Sequence, residues 1–250
     1  MPGPDTPLAG RTALVTGGAR RLGRAISLGL ARAGAHVVVH YRSSSDSAQE
    51  VVSSIRGLGV QAWAVQADLS EAGAPEALFS QAVDRAGGVD VLVNNASIFP
   101  DDALLDLTME AIATNARVNA YAPYALARAL YAQGREAAVV NLLDARVVDR
   151  DDAHAAYHLS KRMLYTFNQV TALAFAPRVR VNGVAPGPIL PPPDGDEAVL
   201  DRLAQELPLQ RRGMPEDVAR AVLFLAASPY VTGQVLFVDG GRHLRTRLYG

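Results

Sequence analysis

The 250-residue sequence contains no cysteine, a single tryptophan and only 6% aromatic residues. Without cysteine there is neither a disulfide framework nor a thiolate metal site, so no metal is expected and folding needs no oxidising compartment. Neither sign of charge is in excess. Some 24 Lys and Arg stand against 25 Asp and Glu, interspersed along the chain, for a net charge of −1. Such a balance offers no basic surface for nucleic acid or an anionic membrane. No apolar run approaches the roughly 18 residues that span a bilayer. The opening Met1-Pro-Gly-Pro-Asp-Thr-Pro7 has no basic or apolar region, so no signal peptide is expected. Residues 1–8 read as a flexible tail, and a cytoplasmic location is expected.

What is present is 49% hydrophobic residues in a chain long enough for one α/β domain, read here as 9–250. Short apolar strands are predicted at Thr12–Thr16, His36–Tyr41, Gln61–Gln66, Val89–Asn94, Ala137–Leu142, Val179–Val184 and Gln234–Asp239. Between them lie predicted helices at Arg21–Ala33, Ser47–Leu58, Glu71–Arg85, Met109–Ala132 (after a short one near Leu104), Ala153–Phe175, Ala198–Glu206 and Pro215–Ala227. Pro186–Gly195, rich in proline and glycine, reads as a loop or lid. Strands that are apolar nearly throughout and alternate with helices imply a parallel sheet covered on both faces. Right-handed crossovers make it a Rossmann-type doubly wound sheet of about seven strands.

The turn Thr16-Gly-Gly-Ala-Arg-Arg-Leu-Gly23 joins the first strand to the first helix. A glycine cluster alone also serves purely steric ends. Placed in the first βαβ unit, it suits a dinucleotide pyrophosphate, because bare backbone and a helix N-terminus present N–H groups to anionic oxygens. Gly17, Arg20, Arg21, Leu22 and Gly23 are therefore candidate cofactor contacts. The second strand ends in His40-Tyr41-Arg42-Ser43, without the carboxylate that would accept from ribose hydroxyls. Arg42 suits a 2′-phosphate instead, which favours NADP(H) over NAD(H).

Tyr157 and Lys161 stand four residues apart, on one face of a predicted helix. A phenol is a poor acid near neutral pH, and an adjacent ammonium favours its ionised form. By itself the pair is also compatible with an incidental contact on an amphipathic helix.

The TGxxxxxG turn, Asn94-Asn-Ala-Ser97, Asn119, the YxxxK pair and Ala185-Pro-Gly-Pro188 occur in this order, and together they resemble the short-chain dehydrogenase/reductase family from about Leu8 to Arg245. The resemblance implies that Tyr157 donates a proton. It implies that Lys161 lowers the tyrosine pKa and holds the nicotinamide ribose, and that Asn119 anchors a proton-relay water. It implies that Asn95 and Ala96 line the adenosine-ribose side, that Asp68 and Leu69 meet the adenine, and that Pro186, Gly187 and Ile189 meet the nicotinamide. A homo-oligomer, as a tetramer, is also implied, with helices Met109–Ala132 and Ala153–Phe175 and the Thr246–Gly250 end as contact candidates.

Two positions depart from the usual pattern. Asp144 stands where most members have serine, and Arg21 where most have glycine. Both changes resemble the pteridine reductase subgroup, as does Asn95-Ala-Ser-Ile-Phe99, and Asp239-Gly-Gly-Arg-His-Leu-Arg245 is similar to dihydromonapterin reductases. The resemblance implies an NADPH-dependent reductase of a dihydropterin or dihydrofolate-like substrate. A flat pterin would stack on Phe99, Ser97 would bond its edge, and Arg21 would face both a pterin oxygen and a phosphate. Asp144 would bond Tyr157 or supply it with protons. Two other readings stay open: a carbonyl reductase acting on ketones or 3-oxoacyl thioesters, and a non-catalytic NADP(H)-binding regulator.

Overall fold

The computed structural model describes residues 6–149, 152–191 and 197–244. Seven strands form one parallel sheet: β1 (Thr12–Val15), β2 (His36–Tyr41), β3 (Ala62–Gln66), β4 (Val91–Asn94), β5 (Ala137–Leu142), β6 (Val179–Pro186) and β7 (Val235–Val238). Their order is β3-β2-β1-β4-β5-β6-β7. The chain runs outward from β1 to β3, then crosses back to β4 on the other side of β1. That reversal opens a crevice at the carboxyl ends of β1 and β4, where such sheets take ligands.

Alternation along each strand sends successive side chains to opposite faces. Ala13, Val15, Val37, Val39, Val91 and Val93 pack with α1 (Arg21–Arg32), α2 (Ser45–Arg56) and α8 (Pro215–Ala227). Leu14, Val38, Leu92, Val139 and Val181 pack the other way, with α3 (Ala74–Ala86), α5 (Ala122–Ala132) and α6 (Ala155–Ala174). This explains strands that read as apolar throughout: both faces are covered. No helix among the described residues is long and apolar enough to cross a membrane.

Local chemistry corrects several expected boundaries. Helix α3 begins at Ala74, not Glu71, because Gly73 adopts φ +75 and Pro75 suits the first turn. The expected helix Met109–Ala132 is three pieces: α4 (Met109–Ala116), a π-helical turn (Arg117–Tyr121) and α5. Pro123 has no N–H to give the carbonyl of Asn119 four residues earlier, so the regular ladder does not pass that point. Leu8, expected in the tail, is buried, and its N–H donates to the Ala33 carbonyl at 3.0 Å. Helix α7 (Glu197–Glu206) follows the expected lid. Residues 192–195 of that lid and the 246–250 end lie outside the described residues.

The central strands carry the largest burial. Leu92 sits in the middle of β4 with no exposed surface. Leu92→Ala is expected to lower unfolding free energy by about 2 to 5 kcal/mol, measured by chemical denaturation. A loss under about 1 kcal/mol would mean that this face of the sheet is loosely packed.

Candidate active site

At the end of β1, Thr16 is buried and its hydroxyl works in two directions. It donates to the Val93 carbonyl (3.4 Å) and accepts from the N–H groups of Asn95 (2.9 Å) and Ala96 (3.0 Å). The Asn95 side chain returns the contact, donating to the carbonyls of Thr16 (2.9 Å) and Gly17 (3.2 Å). The glycine turn and the loop after β4 are thus one bonded unit. Gly17 lies at φ +60, and a Cβ on Gly23 would stand 2.0 Å from the Gly17 carbonyl oxygen. Only bare backbone fits, which leaves a cradle at the N-terminus of α1 for an anionic group. Leu22 is half-buried and packs on the core, while Arg20 and Arg21 are exposed.

His40 requires a correction. Expected among the cofactor contacts, it is 2% exposed and lies under the glycine turn. Its Nδ1 accepts from the Gly17 N–H (3.0 Å), so Nε2 carries the proton and donates to the Ala67 carbonyl (3.1 Å). Its neighbours divide similarly: Tyr41 is half-buried against the core, whereas Arg42 and Ser43 are exposed. Arg20 reaches Ser44 Oγ at 3.5 Å, placing a second guanidinium at the end of β2. Gln66 pins the Arg42 carbonyl at 2.9 Å. Asp68 accepts from the Ser70 hydroxyl (2.6 Å) and N–H (2.9 Å), which hold its carboxyl below the usual range, and Leu69 is buried beside it.

Beyond β4, Ser97 and Phe99 are exposed. Asn119 faces this loop from the π turn. Its side chain has no surface exposed and is fully committed to protein groups. Its Oδ1 accepts from the Ile98 N–H (2.9 Å), and its Nδ2 reaches the Ile98 carbonyl (3.0 Å), Ser160 Oγ (3.0 Å) and Asn115 Oδ1 (3.3 Å). The side chain therefore braces the Ile98–Phe99 loop.

Helix α6 brings Tyr157 and Lys161 to the end of β5. The Tyr157 hydroxyl donates to Asp144 Oδ2 at 2.9 Å. Lys161 is buried and donates to the Leu142 carbonyl at 2.8 Å, with its ammonium 5.6 Å from the Tyr157 ring centroid. Burial pushes its pKa down to about 8, against the opposing pull of the Asp144 charge. The Phe99 ring meets Tyr157 edge-on at 4.6 Å and His154 at 4.2 Å. Thr16 and Ser160 lie within the glycine turn and the YxxxK segment, but their supporting roles show only in the fold, where the Ser160 hydroxyl donates to the Tyr157 carbonyl at 2.6 Å. Arg146 and His154 escape a reading of the sequence, since no motif marks them.

The loop after β6 closes the remaining side. Gly187 lies against the backbone of Asp239, where a Cβ would approach to 2.7 Å, and its N–H donates to the Val238 carbonyl. Pro186 and Gly187 are half-buried, while Ile189 turns its side chain into the core. The Arg21 guanidinium donates across the cleft to the Pro191 carbonyl. Arg21 holds φ +51, a left-handed conformation costing a side-chain-bearing residue about 1 to 2 kcal/mol. That explains why glycine suits the position and why an arginine there marks a demand other than stability.

The neutral His40 ring has a consequence for acid stability. Burial pushes its pKa from 6.5 to about 4. Between those values the unfolded chain takes up a proton that the folded chain refuses. Its contribution is full above about pH 6.5 and is lost as pH falls toward about 4, by up to about 3 kcal/mol. Denaturant unfolding between those pH values should show a steeper loss in the wild type than in His40→Gln. Equal slopes would mean that the imidazole is already charged in the fold.

The family model described as "Enoyl-(Acyl carrier protein) reductase" matches residues 17–243. An L-rhamnose 1-dehydrogenase (NAD(P)(+)) of Sphingomonas sp. is 34% identical over 95% of this chain and 98% of its own. A 3-oxoacyl-[acyl-carrier-protein] reductase of Synechocystis sp. is 36% identical over 94% and 98%. Among solved structures, FolM alternative dihydrofolate reductase 1 of Brucella canis, complexed with NADP, superposes with a TM-score of 0.89. It is 37% identical, over 96% of this chain and 97% of that one. With the glycine cradle, the Tyr157–Lys161 face and the seven-stranded order in place, these matches span nearly the whole chain, which belongs to the short-chain dehydrogenase/reductase family of NAD(P)-dependent oxidoreductases.

Proposed function

We propose that the protein is an NADPH-dependent reductase of a dihydropterin or dihydrofolate-like substrate. One observation carries this reading: Asp144 accepts the Tyr157 hydroxyl at 2.9 Å, directly beside the aromatic wall of Phe99. The similarity to a FolM dihydrofolate reductase supports it.

The residues fit NADP(H). The bare glycine cradle at Gly17 and Gly23, with the adjoining Arg21, would take the pyrophosphate. Exposed Arg20 and Arg42, with Ser43, would hold the 2′-phosphate. Asn95 and Ala96 would line the ribose side, and Asp68 and Leu69 the adenine. The Pro186–Ile189 loop and Lys161 would face the nicotinamide side. Bound there, the reduced nicotinamide supplies hydride.

The chain's own residues manage the proton. Reducing a C=N bond requires a proton on nitrogen as well as hydride on carbon. Tyr157 gives the proton from its hydroxyl, Asp144 holds that hydroxyl and relays to the phenolate a proton it takes up from solvent, and the Lys161 ammonium stabilises the phenolate in the meantime. Phe99 provides a face for a flat heteroaromatic ring, Ser97 a hydroxyl for its edge, and Arg21 a cation facing both substrate and phosphate.

A second reading is favoured by the 3-oxoacyl-[acyl-carrier-protein] reductase relative: a carbonyl reductase. NADPH oxidation followed with dihydrobiopterin, dihydromonapterin and dihydrofolate, against simple ketones and a 3-oxoacyl thioester, separates the two. Turnover of a dihydropterin is expected, with Tyr157→Phe lowering kcat by about 10² to 10⁴-fold. Turnover of ketones alone would overturn the pterin reading. The pH profile gives an independent check. The Lys161 ammonium is intact below about pH 8 and is lost as pH rises through that value. The profile of kcat/KM should therefore fall above about pH 8, and Lys161→Arg should move that limb to higher pH. An unmoved limb would assign it to another group.

A further inference from the structure

Arg146 follows Asp144 on a 3₁₀ turn (Ala145–Val148) at the end of β5, and it makes two kinds of contact there. Its backbone N–H donates to Asp144 Oδ1 at 2.7 Å, and its Nε lies 3.6 Å from the same oxygen. Its guanidinium also stands 5.4 Å from the centroid of the Phe99 ring. Phe99 is otherwise 41% exposed, an unusual state for a large aromatic ring at the wall of a cleft.

We propose that Arg146 is a positioning residue that couples the tyrosine's carboxylate to the aromatic wall of the substrate slot. This rests on the reading of Tyr157, Asp144 and Phe99 above. The last torsion of an aspartate is soft, so one oxygen must be held if the other is to point in a fixed direction. Holding Oδ1 from the turn leaves Oδ2 facing the Tyr157 hydroxyl. The same planar cation packs on Phe99, which is edge-on to that phenol. The guanidinium therefore reinforces the backbone's hold on Oδ1 and links that carboxylate to the ring against which a flat substrate would lie.

The backbone N–H bond survives any substitution at 146, so side-chain variants isolate the guanidinium while keeping the turn capped. Among the described residues, the charged and titratable groups recorded around Asp144 are Arg146 on its own turn, and Tyr157 and Lys161 on α6. His154, at the start of α6, lies behind Phe99 and 3.4 Å from Asp101, and Arg242 from the C-terminal turn reaches Asp149 instead.

The test compares kcat and KM of Arg146→Ala, Arg146→Lys and Arg146→Met on whichever substrate the wild type reduces. Arg146→Ala is expected to lower kcat about tenfold and raise KM. Lysine should restore much of kcat but leave KM high, because an ammonium does not pack flat on Phe99. Methionine should recover KM in part and leave kcat low. Equal losses in all three variants, or Arg146→Ala constants matching the wild type, would overturn the proposal. A wild type that reduces only ketones sinks the pterin reading, and the same three variants then decide the role of Arg146 on the ketone.

Discussion

The burial of the Lys161 ammonium is the constraint on which the site depends. A charged group taken from water must find partners, and Lys161 finds the Leu142 carbonyl at 2.8 Å. That bond ties α6 to the last residue of β5. Asp144 lies two residues further along the same strand exit, and Tyr157 lies one helical turn before the lysine. Fixing one contact thus sets the register of the other, and the 2.9 Å bond between Tyr157 and Asp144 follows from it. The same burial that organises the site also pulls the lysine pKa to about 8, so structure and titration share a cause.

A second network holds the opposite wall. Thr16, Asn95, His40 and Asn119 each spend their polar atoms on backbone groups of the loops around β1 and β4. Loops at the carboxyl ends of strands carry many backbone groups outside the ladder, and each needs a partner if the loop is to keep one shape. Buried amide, imidazole and hydroxyl side chains meet that need from beneath. The surface above is left as bare backbone and exposed arginines, which is what an anionic ligand requires.

Strand–helix alternation and the double covering of the sheet are legible in the sequence, because both faces of each strand are apolar. Legible too are the glycine turn, the Tyr157–Lys161 spacing and the oddness of Asp144 and Arg21. The inward turn of His40 is not. A histidine next to Arg42 at a strand end looks like a ligand group, and only the register with β3 shows its ring lying beneath Gly17. The bracing role of Asn119 is hidden for a related reason. Its place in a helix is evident, but Pro123 opens a π turn there and the side chain is drawn into the Ile98 loop. Arg146 and His154 carry no motif, since their relation to Phe99 spans more than forty residues of chain and exists only after folding.

The two departures from the common pattern, at the start of α1 and just after β5, make a joint chemical argument. A carboxylate accepts hydrogen bonds and, when ionised, donates none. Facing a carbonyl oxygen that gathers negative charge, it would oppose the reaction where a hydroxyl would assist. If the substrate is instead a ring nitrogen that must end the reaction protonated, Asp144, on taking up a proton from solvent, can pass it to Tyr157 across the bond it already makes. Arg21 meets the complementary demand. It keeps a left-handed backbone at a cost, and its guanidinium projects over the cleft toward the loop after β6. Asp144 does cap the turn after β5 through the Arg146 N–H, but a serine could cap it as well, and both residues become intelligible if the ring they serve is electron-poor, flat and edged with hydrogen-bonding atoms.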